Sequence, residues 1–205
     1  EEELARVLPV LQGLAGAGRP LSLDTRHSAA MQAGVAAGAA LINDVSALTH
    51  DPQSLAVAAA SVVPVILMHA QGEPATMQAA PRYDDVLLDV YDHLQRRIAA
   101  CVAAGIPRQR IIVDPGISFG KTLEHNLALL RGLVLLHGLG CAILVGASRK
   151  GFIGRLTGAR SPAGRLPGSL AIELHALSQG VQMLRVHDVA AAAQAVAVWR
   201  AIHQV

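Results

Sequence analysis

The feature that most constrains this chain is a repeated unit. A short apolar run breaks off on a polar side chain, a loop follows, and then a stretch with helical periodicity begins. The clearest example is Ile111-Ile112-Val113-Asp114-Pro115-Gly116-Ile117-Ser118-Phe119-Gly120-Lys121-Thr122. Three β-branched residues run straight into an aspartate and a loop with two glycines, which reads as a buried strand whose last residue faces a site. A carboxylate in that position is costly to bury unless it is paired or functional. Thr122 is placed to cap a helix over residues 123–136.

The same unit recurs along the chain. Strands are expected at Leu21-Ser22-Leu23, Ala40-Leu41-Ile42, Pro64-Val65-Ile66-Leu67-Met68, Ala142-Ile143-Leu144-Val145 and from Met183 to Asp188. Their tips carry Asp24-Thr25, Asn43-Asp44, His69, Ser148-Arg149-Lys150 and His187. Helices are expected over residues 28–37, 51–61 (with Asp51 as N-cap), 84–104, 168–178 and 189–202, and a leading helix over 1–17 in which Pro9 disturbs the early turns. Residues 155–165 read as a surface loop. Strands alternating with helices through short connections make right-handed parallel units, and runs that are apolar throughout suit strands covered on both faces. Polar tips on all six units favour a (β/α)8 barrel, whose site lies at the C-terminal strand ends, over a doubly wound sheet with one switch point. A barrel needs eight units, so the first two strands are expected before Glu1. The 205 residues then form one domain, incomplete at its N-terminus.

Composition excludes several alternatives. A net charge of +2 with no Lys/Arg run leaves no footprint for nucleic acid. No apolar run reaches the roughly 18 residues a membrane helix needs. Cys101 and Cys141 lie in apolar surroundings without metal-ligand spacing, which reads as buried free thiols in a reducing compartment and points to the cytoplasm. Basic charge is almost all arginine: Lys121 and Lys150 are the only lysines. A compact ammonium kept at two positions is a candidate for a specific contact.

The bland reading of Asp114 is a turn cap, and of Asn43-Asp44 a turn pair. Asn43 offers a donor and an acceptor suited to a heterocycle edge. Lys150 could be a solvated loop cation and His69 a structural histidine. Arg185 and His187, two apart in a strand, should share a face. Two potential cations on one face suggest a phosphate or diphosphate ligand.

Taken together, Asp24-Thr25, Ile42-Asn43-Asp44, Met68-His69-Ala70-Gln71-Gly72, Asp114 to Thr122, Gly146-Ala147-Ser148-Arg149-Lys150-Gly151-Phe152 and Arg185-Val186-His187-Asp188-Val189 resemble the dihydropteroate synthase family, in its order and at about its spacing. The resemblance implies a (β/α)8 barrel and a transferase of folate biosynthesis. Its substrates would be 6-hydroxymethyl-7,8-dihydropterin diphosphate and 4-aminobenzoate, its products 7,8-dihydropteroate and diphosphate. It further implies that Asp24, Asn43 and Asp114 read the pterin, that Met68 packs against it, and that Lys150 binds it. Arg185 and His187 match the diphosphate binders. Phe119 and Lys150 would wall the aminobenzoate subsite, with Ser148 and Arg149 close by. Lys121, past the glycine loop, is set aside in favour of Lys150. A Mg²⁺ and a homodimer through the last helices are also implied. Family members carry an Asn that binds the metal, and a Thr that touches the substrate, on loops of the first two strands, which would lie before Glu1. Two departures stand out: Ser118 where the family commonly has Gly, and Glu73 where a small polar residue is usual. Rival readings are a methyltetrahydrofolate methyltransferase, which would have no diphosphate to bind, and a non-catalytic pterin-binding paralogue.

Overall fold

A computed structural model of the chain describes residues 2–72 and 76–204; Glu73 lies outside the described residues. The chain is an α/β protein with six parallel strands among the described residues, and divides into two compact units. The first comprises residues 1–70, 92–114 and 139–141, the second residues 71–91, 115–138 and 142–205.

The first unit holds α1 (Glu2–Leu14), β1 (Leu21–Asp24), α2 (Ser28–Ala36), β2 (Ala39–Asp44), α3 (Ser54–Ala60), β3 (Val65–Met68), most of α4 (Val86–Ala103) and β4 (Ile111–Asp114). Its four strands pair in parallel, in chain order. Each is followed by a helix, as the alternating pattern predicts. Ile42, Val65, Leu67 and Val113 are completely buried. Burying each such side chain contributes roughly 1.5–3 kcal/mol, which is why runs this short still hold as strands. α1 runs through Pro9 as a continuous helix, with Leu11, Leu23 and Ala39 packed in one cluster.

α3 starts later than expected. Asp51 is not its N-cap: the helix begins at Ser54, and Asp51 serves two elements instead. One carboxylate oxygen accepts from the Gln53 N–H at 2.9 Å, and the other accepts from the N–H of Ser28, the first residue of α2, at 2.8 Å. Hydrogen bonds from the Ser28 side chain, the Gln53 N–H and the Ser28 N–H pull its carboxyl down to about 2.

The second unit holds α5 (Leu123–Arg131), β5 (Ala142–Val145), α6 (Gly151–Thr157), α7 (Leu166–Ser178), β6 (Met183–Leu184) and α8 (Val189–His203), with β5 and β6 paired in parallel. Thr122 caps α5 as expected: its hydroxyl accepts from the His125 N–H, and the His125 ring accepts in return from the Thr122 N–H. Three expectations need correction. Residues 151–157, read partly as motif and partly as loop, form α6; two glycines in seven residues mask its helical pattern. The compensation is close packing on α7, where a Cβ on Gly168 would sit 2.4 Å from Ile153 Cγ2. β6 ends at Leu184, four residues short of the expected strand, although the Arg185 N–H beyond it still donates to the Val145 carbonyl at 3.0 Å. The expected helix over 123–136 also divides, α5 ending at Arg131 and a 3₁₀ turn taking Leu133–Leu139.

Cys101 and Cys141 are free thiols, the first buried and the second half-buried. Burial raises both, Cys101 to about 11, so neither is a thiolate at neutral pH.

Candidate functional site

In the first unit, strand register decides which tips face the same way. Asp24 pairs with Asn43, Asn43 with Ile66, and Ile66 with Ile112. Register neighbours in a parallel sheet project to one face, and residues two apart on a strand do likewise. Asp24, Asn43, Met68 and Asp114 therefore share a face, with Met68 and Asp114 paired one pleat beyond the first two. Asn43, Met68 and Asp114 are buried, while Asp24 is exposed. A carboxylate, a carboxamide and a thioether are thus grouped with a second carboxylate over an apolar floor of Ile66 and Ile112. Such a surface can take a flat, polar-edged heterocycle.

The alternation separates Asn43 from its neighbour. Asp44 points to the opposite face and is fully buried. Its carboxylate accepts from the Ser46 N–H and hydroxyl and from the Leu48 N–H, bracing a turn in which Ala47 and Leu48 adopt left-handed backbone. Asp44 is the turn residue and Asn43 the one on the site face. His69 is also buried, its ring edge-on to that of His93 at 4.8 Å.

One support in this unit is invisible to sequence motifs. Glu3 of α1 accepts from the Thr25 hydroxyl at 2.5 Å, and its other oxygen lies 2.6 Å from His27 Nδ1. The Thr25 N–H donates to the Asn43 carbonyl at 3.0 Å. The tip carrying Asp24 is thereby tied to a helix 22 residues upstream. No local signal marks Glu3, because its partners are distant in sequence.

In the second unit the loop after β4 is held at every turn. Gly116, Ser118 and Gly120 all have positive φ. Gly120 has φ +63° and an added Cβ would lie 2.3 Å from the Gln71 carbonyl oxygen, so only glycine fits there. Ser118 occupies left-handed backbone at φ +72°, which costs a residue with a Cβ about 1–2 kcal/mol. That is the physical reason glycine suits the position in the family. The Ser118 N–H donates to Asn126 Oδ1 at 2.6 Å, and its carbonyl accepts from the Gln78 side chain. The Tyr83 hydroxyl donates to the Gly120 carbonyl at 2.8 Å.

These ties present Phe119. Lys150 Nζ stands 4.2 Å from the centre of its ring, a cation–π contact. Lys121, set aside on sequence, is buried, and its Nζ donates to the Phe119 carbonyl at 3.0 Å. Both lysines in the chain therefore converge on Phe119, one on its ring and one on its backbone. Their rarity was the available signal.

The loops after β5 and β6 enclose a cavity of about 420 Å³ lined by Ser148, Arg149, Lys150, Arg185 and His187, among others. Arg185 and His187 thus share a site even though the strand expected to align them stops short. His187 places both its N–H and its Nδ1 on the Ser148 hydroxyl, at 3.2 and 3.1 Å. Arg149 has left-handed backbone at φ +56° and gives its guanidinium to Asp188, Nε to Oδ2 at 2.8 Å and Nη2 to Oδ1. That bidentate bond raises Arg149 and holds the Asp188 carboxyl below its usual range. A cavity with an ammonium, a guanidinium and an imidazole on its walls can receive a polyanion. Among the described residues no three His, Cys, Asp or Glu side chains are grouped to hold a metal ion.

Comparison with known proteins agrees with this chemistry. The family model of pterin binding enzymes matches residues 1–187. The dihydropteroate synthase of Neisseria meningitidis serogroup B is 48% identical over 206 residues, spanning 98% of this chain and 72% of that protein. The dihydropteroate synthase of Escherichia coli K12 is 44% identical over 190 residues, spanning 92% of this chain and 67% of that protein. Among solved structures, Xanthomonas albilineans dihydropteroate synthase in complex with 7,8-dihydropteroate superposes with a TM-score of 0.93 at 46% identity, covering all of this chain and 77% of that one. The Stenotrophomonas maltophilia enzyme superposes at 0.96 with 45% identity over the same shares. The chain belongs to the pterin-binding enzymes and, within them, to the dihydropteroate synthase family.

Proposed function

We propose that this chain is a dihydropteroate synthase, a transferase of folate biosynthesis, which joins 6-hydroxymethyl-7,8-dihydropterin diphosphate to 4-aminobenzoate and releases diphosphate. One arrangement carries the reading: Asp24, Asn43, Met68 and Asp114 on one face of a parallel sheet. Relatives add to it, since solved dihydropteroate synthases hold 7,8-dihydropteroate and 4-aminobenzoate. The domain is one (β/α)8 barrel in this reading.

The reaction breaks the bond between the pterin methylene carbon and the diphosphate oxygen, and the electron pair leaves with diphosphate. The arylamine nitrogen then bonds to the methylene and loses one proton. Asp114 and Asn43, buried before substrate arrives, pair with the donor edge of the pterin, and Asp24 binds at its margin. Met68 lies against the ring. As the methylene becomes cationic, the fixed Asp114 carboxylate stabilises it, since preorganised charge is usually the largest catalytic contribution. Lys150, Arg185 and His187 take the growing negative charge on the leaving diphosphate. Phe119 and Lys150 wall the aminobenzoate, with Ser148 and Arg149 close by. The amine is neutral and already nucleophilic, so no strong base is needed.

Among the described residues no three His, Cys, Asp or Glu side chains are grouped to hold a metal ion, and no step here runs through one; Mg²⁺ would enter with the diphosphate. A homodimer through α8 is supported by the exposure of Val189, Val198 and Ile202. A cytoplasmic location is supported by the free thiols; no described helix is long and apolar enough to cross a membrane.

The loose order of bond breaking is testable. Deuterium on the pterin methylene should give a secondary isotope effect clearly above unity, and an effect near unity contradicts a cationic methylene. Asp114→Ala and Lys150→Ala should each cut turnover by about 10²–10³-fold, as loss of one preorganised electrostatic group does elsewhere.

A further inference from the structure

Arg149 lies near the proposed aminobenzoate subsite, but its bond to Asp188 has a second consequence, since it joins the two loops that carry the anion-binding groups. Arg149 sits between Ser148 and Lys150 in the chain, and Asp188 directly follows His187. Nε and Nη2 of Arg149 each give an N–H to the carboxylate, which matches its charge and fixes the direction of the guanidinium plane. Its backbone is fixed from the other side by the start of α7. The Arg149 N–H donates to the Ser169 hydroxyl at 2.8 Å, and its carbonyl accepts from Arg165 Nη1 at 3.0 Å. The Ser169 hydroxyl in turn donates to the Arg165 carbonyl at 3.0 Å, closing the frame. A left-handed, non-glycine residue persists only where its surroundings over-determine it.

From this geometry we infer that Arg149 and Asp188 are positioning residues: their bidentate bond sets the spacing of Ser148 and Lys150 from Arg185 and His187, and with it the fit of the cavity to a diphosphate. Arg149 lines the cavity, but the pair acts by positioning its neighbours. The inference rests on the dihydropteroate synthase reading for the identity of the anion. A plain electrostatic view predicts the opposite of a clamp. Asp188 is an anion beside an anion site, so neutralising it should strengthen anion binding. If it is a clamp, neutralising it should weaken binding. Lysine at 149 would keep the charge but lose the planar fork, so a clamp should fail there too.

The experiment measures calorimetric binding of inorganic pyrophosphate, and of the pterin alcohol that lacks diphosphate, to the intact enzyme and to Asp188→Asn and Arg149→Lys. Pyrophosphate affinity should fall about tenfold in both variants while pterin-alcohol affinity stays within about twofold, and KM for the pterin diphosphate should rise more than kcat falls. Pterin-alcohol binding also reports folding, and should Asp188→Asn not fold, Arg149→Lys carries the same reading. Unchanged or tighter pyrophosphate binding in the variants overturns the clamp. A parent protein that binds pyrophosphate but makes no product overturns the functional reading instead.

Discussion

Ser118 shows how a single residue carries conflicting demands. Its backbone occupies the left-handed region, and its Oγ is buried with no hydrogen-bond partner among the described residues. Both are unfavourable, and glycine removes both, offset in part by the entropy of a freer unfolded chain. Ser118→Gly should stabilise the protein by about 1 kcal/mol in chemical denaturation; a loss of stability would mean that the serine makes a contact of value. Asp51 is the converse case, a carboxylate stabilised by what it accepts. Its carboxyl is lowered to about 2 by hydrogen bonds from Ser28 and Gln53. A depressed carboxyl contributes stability above its unfolded value that is lost as pH falls through the folded one. Asp51→Ala should therefore lower Tm at pH 7, and the gap to the parent should close between about pH 4 and pH 2. A gap independent of pH would assign the effect to packing.

At the scale of elements, the strands were legible because a fully buried strand must be apolar throughout, and Ala142–Val145 was bounded correctly from that alone. α6 was not, since glycines at 151 and 154 lower helix propensity and only packing against α7 restores the balance. Distance in sequence hid the rest. Asp51 looked like a local cap, but half of its carboxylate serves α2, and nothing near Glu3 announces that it holds Thr25 and His27. The pairing of Asp24 with Asn43 and of Met68 with Asp114 follows from register, which a list of motifs does not contain. α7 supplies a test of this buried polar framework. Glu173 is 5% exposed, and burial, helped by the nearby Asp188 charge, raises its carboxyl above the usual range. A raised carboxyl opposes folding increasingly as pH climbs past its unfolded value, near 4.5, and costs nothing below it. Glu173→Gln should raise Tm at pH 7.5 and leave it unchanged at pH 4. Destabilisation at pH 7.5 would show that the ionised carboxylate is paired in the native protein.

For the molecule as a whole, the proposed reaction asks for two kinds of surface, and each unit carries one. One unit offers buried hydrogen-bonding groups over an apolar floor, which suit a heterocycle. The other offers Phe119 under Lys150 and a cavity walled by Lys150, Arg185 and His187, which suit an arylamine and a polyanion. Most of these residues were identified by type and order in the sequence. The grouping of Arg185 with His187 was expected too, but through a strand, and β6 is too short to align them, so the surrounding loops do it instead. The central claim is that these groups serve diphosphate displacement by an arylamine. It is tested most directly by incubating the intact protein with 6-hydroxymethyl-7,8-dihydropterin diphosphate, with and without 4-aminobenzoate, and measuring diphosphate and 7,8-dihydropteroate together. The account predicts that the two appear in equal amounts, and only when both substrates are present. Tight pterin binding with no 7,8-dihydropteroate formed would contradict it.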